Sequence, residues 1–202
     1  MKSLVVFIAT FILSMTINGQ SCAEQKISKK YDFEITKKSL DEKDLGKTEI
    51  TILVTKKGGK SKAQIIKFES EFLAKSSFKN CLNNFLNFSG RRSKLDSIEN
   101  DFGDLIVTDL NFDGKEDLAV KREEGGNGGP IYYFYIQTEN EKFIVSDYLT
   151  NEMMFFPIDF EPDTKTLRTY VRVNSSQEES IFYQYSESEK TWKVTGRSEY
   201  RN

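Results

Sequence analysis

Between Tyr31 and Gly196 the chain returns again and again to short runs in which apolar and polar residues alternate, each closed within a few positions by turn-forming residues. A period of two is the mark of a strand with one face turned to a core. "YDFEI" sets Tyr31, Phe33 and Ile35 on one side, and "EITILVT" and "AQIIKFES" flank Gly58-Gly59, which reads as a hairpin. Downstream come "DLIVTDL", "DLAVK", "IYYFYIQT", "KFIVSDYL", "LRTYVRV", "SIFYQY" and "TWKVTG", with "TENE", "EPDTKT", "NSSQEE" and "SESEK" supplying turns between several of them. Connections this short suit antiparallel neighbours, so the expected fold is all-β: a single antiparallel β domain over 31–202, either a two-layer sandwich or a small barrel-like form. No repeat of propeller length is present. Helical spacing competes only in "SSFKNCLNNFLNFSG", where Phe78, Leu82, Phe85 and Leu86 suggest a short helix or an irregular crossover.

Before Tyr31 the pattern changes. Met1-Lys2, the apolar run "LVVFIATFIL" and the small polar tail "NGQSCA" have the form of a secretory signal peptide over 1–23. The run is short for a membrane span, and no other stretch approaches the roughly 20 apolar residues that spanning requires. Export to the periplasm is the expectation, with 24–30 ("EQKISKK") as a loose polar lead. Three fates stay open for Cys22: removal with the leader, pairing with Cys81, or acylation as an outer-membrane lipoprotein anchor.

Charge and composition then exclude function classes. The formal net charge is −2, and the basic residues are interspersed with acids, which argues against a nucleic-acid partner. "KKGGKSK", Lys56 to Lys62, reads as a solvated hairpin turn. The chain has no histidine, which removes Ser-His and Cys-His nucleophile systems and His-ligated metal sites. The acid pair Glu123 and Glu124 is the remaining catalytic thought, but neighbours on a strand point to opposite faces. The chain is therefore expected not to be an enzyme.

"DLNFDGKEDL" carries a sharper signal. Asp109, Asn111 and Asp113 fall at the first, third and fifth places, Gly114 at the sixth, the Lys115 carbonyl at the seventh and Asp117 at the ninth. Oxygen donors at every second residue, with a glycine that lets the chain fold back, are what a calcium ion asks of a loop. An EF-hand would place glutamate at the twelfth position, where Val120 stands. The loop resembles instead the strand-loop-strand calcium sites of FG-GAP and thrombospondin repeats, against the plainer alternative of an Asx-rich turn without metal. Ca2+ is the expected cofactor.

Next comes "EEGGNGGPIYYFYI". Gly125, Gly126, Gly128 and Gly129 allow backbone angles closed to other residues, and Pro130 stiffens the exit. No Lys-Ser/Thr follows and a strand comes next, so this is not a phosphate loop. The two readings are a floppy hairpin and a protruding loop for a partner's cleft, with Tyr132, Tyr133 and Tyr135 giving contact area on both faces of the strand.

The acidic loop, a short apolar strand and then "GGNGGPIYYFY" from Gly125 to Tyr135 together resemble an exported bacterial family: the immunity proteins of antibacterial type IV secretion effectors, similar in structure to periplasmic inhibitors of invertebrate-type lysozyme. The resemblance spans about Asp104 to Val194 and leaves Tyr31 to Ser97 without residue-specific counterparts. It implies a protein partner, a peptidoglycan hydrolase, whose groove is blocked by the loop. The implied contacts are the peptide N–H groups of Gly125 to Gly129, Asn127, the Tyr132 hydroxyl and Tyr135. The alternative function is a calcium-braced cell-surface or matrix adhesion module with no inhibitory activity.

Overall fold

The computed structural model describes residues 27–40, 47–59, 62–78, 85–88 and 101–201. The expected signal peptide, residues 24–26, Cys22 and Cys81 lie outside them. Among the described residues there are twelve strands: β1 (Tyr31–Ser39), β2 (Thr48–Lys56), β3 (Gln64–Ser70), β4 (Phe85–Phe88), β5 (Leu105–Thr108), β6 (Asp117–Gly126), β7 (Gly129–Gln137), β8 (Phe143–Val145), β9 (Asp159–Glu161), β10 (Thr166–Asn174), β11 (Gln177–Ser186) and β12 (Thr191–Arg201). They form three sheets, in the orders β1-β2-β3, β4-β5-β6-β7-β8 and β12-β11-β10-β9. The all-β expectation holds, with every strand pair antiparallel except β4–β5, and no barrel closes among the described residues.

Two core clusters lie on opposite faces of the middle sheet. On one face Leu105, Val107, Leu118, Val120 and Tyr135 pack against Phe33, Ile35, Ile50 and Ile52 of the β1–β3 sheet. On the other, Ile106, Ala119, Tyr132 and Phe134 meet Leu167, Ile181, Tyr183 and Trp192 of the β9–β12 sheet. The result is three stacked sheets rather than two. A central layer covered on both faces explains why "LIV" and "LAV" are unbroken apolar runs, whereas the outer strands alternate: β2 buries Thr48, Ile50, Ile52 and Val54 and leaves the residues between them partly open. Each large apolar side chain buried this fully contributes about 1.5–3 kcal/mol.

Two local expectations need correction. Phe85 to Phe88 form a strand, not part of a helix, and pair parallel with β5, Phe85 opposite Leu105; a seat beside an existing sheet edge outweighs the weak helical spacing. The lead before Tyr31 is not loose where it is described. Ile27 is buried in the first cluster, the Ser28 hydroxyl donates to Glu116, and the N–H groups of Lys30 and Tyr31 donate to Ser28 Oγ at 3.0 and 2.8 Å.

What positions the β6–β7 hairpin is the crossing after β8. A single wide helical turn, Leu149–Met153, closes with Met154 N–H donating to Leu149 O at 2.9 Å. Met154 O then accepts from Tyr132 N–H at 2.9 Å, and Phe155 bridges Ile131. The open edge of β7 near the glycine segment is thereby covered.

Candidate functional site

β6 joins the two segments that the sequence singles out, the acidic loop at its start and the glycine hairpin at its end. Thr108 pairs with Asp117, so residues 109–116 form the connection of the β5–β6 hairpin. The loop is folded on its own amides. Asp109 Oδ1 and Oδ2 accept from Asp113 N–H at 3.0 Å and Gly114 N–H at 2.8 Å; Asn111 Oδ1 accepts from Asp113 N–H at 3.3 Å; Asp113 Oδ1 accepts from Lys115 N–H at 2.9 Å. Gly114 has φ +80°, and Phe112 takes φ +59°, a region that favours glycine, while its ring leans on the second cluster 6.3 Å from Trp192.

Asp117 is the keystone of this end. Fully buried, it accepts from Leu110 N–H at 2.9 Å and Asn111 N–H at 3.4 Å on one oxygen and from Gln137 N–H at 2.8 Å on the other. Burial pushes its carboxyl up to about 8, against the pull of the Gln137 and Leu110 amides and with added repulsion from Asp113 and Asp109. Asp109 is raised too, first by burial, with the N–H groups of Gly114 and Asp113 opposing. The Lys115 ammonium bridges Asp113 at 3.1 Å and Glu139 at 2.6 Å. Oxygen donors of this type suit a hard cation, and amide bonds leave carboxylate lone pairs free. Among the described residues, however, no three acidic or thiol side chains stand grouped as a ready metal site.

At the far end of β6 two register shifts, one between Lys121 and Glu123 and one between Glu123 and Gly126, bend the strand into the hairpin. Gly125 is obligatory: φ is +67°, and a Cβ there would lie 2.0 Å from Gly129 O. A Cβ on Gly128 would lie 2.8 Å from the Phe155 ring and 3.1 Å from Val171 Cγ1, so the hairpin sits directly on those two side chains. Gly125, Gly126 and Asn127 are exposed, while Gly128 and Gly129 are half-buried.

The tyrosines do not offer the contact area expected of them. Tyr132 is 0% exposed and donates its hydroxyl to Gly103 O at 3.0 Å; Tyr135 is 6% exposed in the opposite cluster. Tyr133 packs edge-on against Phe68, with Arg122 over its ring at 5.4 Å. With both faces of β7 covered, its side chains serve the core.

An ion cluster that the sequence reading missed supports the hairpin from below. Lys121, 3% exposed, lies 2.8 Å from Asp101, 3.0 Å from Asp104 and 3.6 Å from Glu124. Burial alone would lower its pKa, but Asp104, Asp101 and Glu124 together hold it above the ordinary value. Glu124 Oε1 accepts from Ala74 N–H at 2.9 Å and from the Ser77 hydroxyl, and Glu124 N–H donates to Phe72 O at 2.9 Å. The only hint in sequence is a lysine placed straight after "LAV", where the strand is still inside.

No family model matches the chain, and no curated protein matches it. A solved structure that it resembles is that of a type IV secretion system related protein of Xanthomonas, at 16% identity and a TM-score of 0.56, covering 85% of this chain and 78% of the other. At that identity the likeness is one of fold. Among the described residues no helix is long and apolar enough to cross a membrane.

Proposed function

We propose that this chain is an exported protein that binds and inhibits a lysozyme-like peptidoglycan hydrolase, meeting it with the glycine hairpin and taking Ca2+ at the acidic loop. One observation carries the reading. Gly128 is seated on Phe155 and Val171 while Gly125, Gly126 and Asn127 stand exposed, so the tip is held before a partner arrives and little ordering cost falls on binding. Hydrolases of this class set two carboxyl groups about the glycosidic bond they cleave. The Asn127 side-chain amide and the peptide N–H groups of the tip are donors that carboxylates accept. Glu124, which would repel them, is turned toward Ala74, Ser77 and Lys121, and Glu123 lies 3.5 Å from Arg122. The secretion-related description of the fold neighbour agrees with the resemblance carried by the acidic and glycine motifs. The protein is read as a binder, not an enzyme, released to the periplasm after loss of 1–23 or anchored there through Cys22.

For the ion, Asp109, Asn111, Asp113, the Lys115 carbonyl and Asp117 form the proposed donor set; bound there, Ca2+ would supply the positive charge that offsets their mutual repulsion. Both parts are tested together. Mature protein is added to invertebrate-type, goose-type and animal c-type lysozymes digesting labelled peptidoglycan, and melting is followed with Ca2+ or chelator. Inhibition that disappears in Gly128→Asp supports the partner reading, and no inhibition of any lysozyme sinks it. Calcium at 100-fold its Kd should add about 2.7 kcal/mol, a gain lost in Asp113→Ala; an unmoved Tm removes the metal and leaves inhibition standing.

A further inference from the structure

We infer that the partner-contact surface is a composite patch in which Phe72 is the apolar anchor and Val173 its far flank, with the Gly126-Asn127 tip between them. The inference rests on the inhibitory reading above and names where its binding energy resides. Tyr132 and Tyr135 cannot supply that energy, since both lie in the core. The chain carries 16 Phe, and among the described residues Phe72 is the phenylalanine that stands well exposed, at 65%. Its backbone is fixed to the hairpin base: Phe72 O accepts from Glu124 N–H at 2.9 Å, the residue just before Gly125, and Phe72 N–H donates to Ser70 Oγ at 3.3 Å. The Glu124 carboxylate clamps the same segment at Ala74 and Ser77.

On the other flank the hairpin rests on Val171, and Val173, two residues along β10, is 47% exposed. The hairpin and Val173 belong to two different sheets, and Phe72 lies just past the last strand of the third. An exposed aromatic on a fixed backbone, next to a tip of hydrogen-bond donors, has the make-up of a binding hot spot. It complements a glycan-binding cleft, which has apolar and aromatic walls where sugar rings stack and a few polar groups at its floor. Phe72 and Val173 take the walls, and Asn127 faces the carboxylates.

The test uses the lysozyme panel and labelled peptidoglycan with full mature protein. Phe72→Ala should raise the inhibition constant at least about tenfold, and Val173→Asp should raise it several-fold. Ile65→Ala is the control: Ile65 is equally exposed, at 64%, but lies roughly 15 Å or more back along β3 by strand rise, and it should change nothing. All three variants should melt as the wild type does. If Phe72→Ala inhibits like Ile65→Ala while Gly128→Asp still abolishes inhibition, the anchor is overturned and the hairpin reading survives. A wild type that inhibits no member of the panel overturns both.

Discussion

The two ends of β6 solve the same problem by opposite means. At its start, side chains do the work: Asp109, Asn111, Asp113 and Asp117 bend the chain by accepting its own amides. At its end, the absence of side chains does it: Gly125 passes Gly129 O at a distance no Cβ allows, and Gly128 lets the hairpin settle on Phe155 and Val171. The first device concentrates negative charge and is sensitive to protons. The second is set by steric fit alone. Between the two runs a strand buried on both faces, so each end is held by a rigid middle rather than by the other loop.

Breaking the support under the glycine end should cost most. Lys121→Met leaves Asp101 and Asp104 without their buried cation, and a loss of about 3–5 kcal/mol is expected in urea unfolding. Gly125→Ala comes next. Its Cβ meets backbone, which cannot rotate away, so about 2–3 kcal/mol should be lost and amide exchange at Gly126 and Gly129 should quicken.

The acidic end should answer to pH instead. Asp117 titrates near 8 in the folded chain and near 3.9 when unfolded. Its folded value is raised, so the folded state holds the extra proton; the contribution is full below about pH 4 and is lost as pH rises toward 8, by at most about 1.4 kcal/mol per unit. Melting without calcium should show this fall, and Asp117→Asn should flatten it. If Ca2+ is held at this loop as proposed, saturating it favours the carboxylate and should flatten the fall too. The smallest effect sharpens the contrast between the ends. Gly114→Ala has open space around its Cβ at φ +80°, so only backbone strain of about 1 kcal/mol is expected.

Much of the strand pattern was legible along the chain because turn chemistry and period-two alternation act locally. "LRTYVRV", "SIFYQY" and "TWKVTG" lie within β10, β11 and β12 or begin with them, and Gly58 turns between β2 and β3 at φ +64°. Phe85 to Phe88 were not legible, since their strand exists only through pairing with β5. Ile27 and Ser28 read as a loose lead because their partners, the first core cluster and Glu116, are remote in sequence. Lys121 met the same obstacle: its counter-ions Asp101 and Asp104 come from the segment ahead of β5, and neither forms a motif with it.

The residue order by itself determined where the chain turns, which loop gathers acids and which hairpin must be glycine, because φ preferences and donor spacing are properties of a few neighbouring residues. Only the tertiary structure decided which faces are wet. A third sheet covers the side of β7 that a two-layer fold would leave open, so "YYFY" turns from a contact surface into core, and the exposed aromatic bonded to the hairpin base is Phe72, which follows β3. Burial is settled by what packs on a strand, and alternation says only that a strand has two faces.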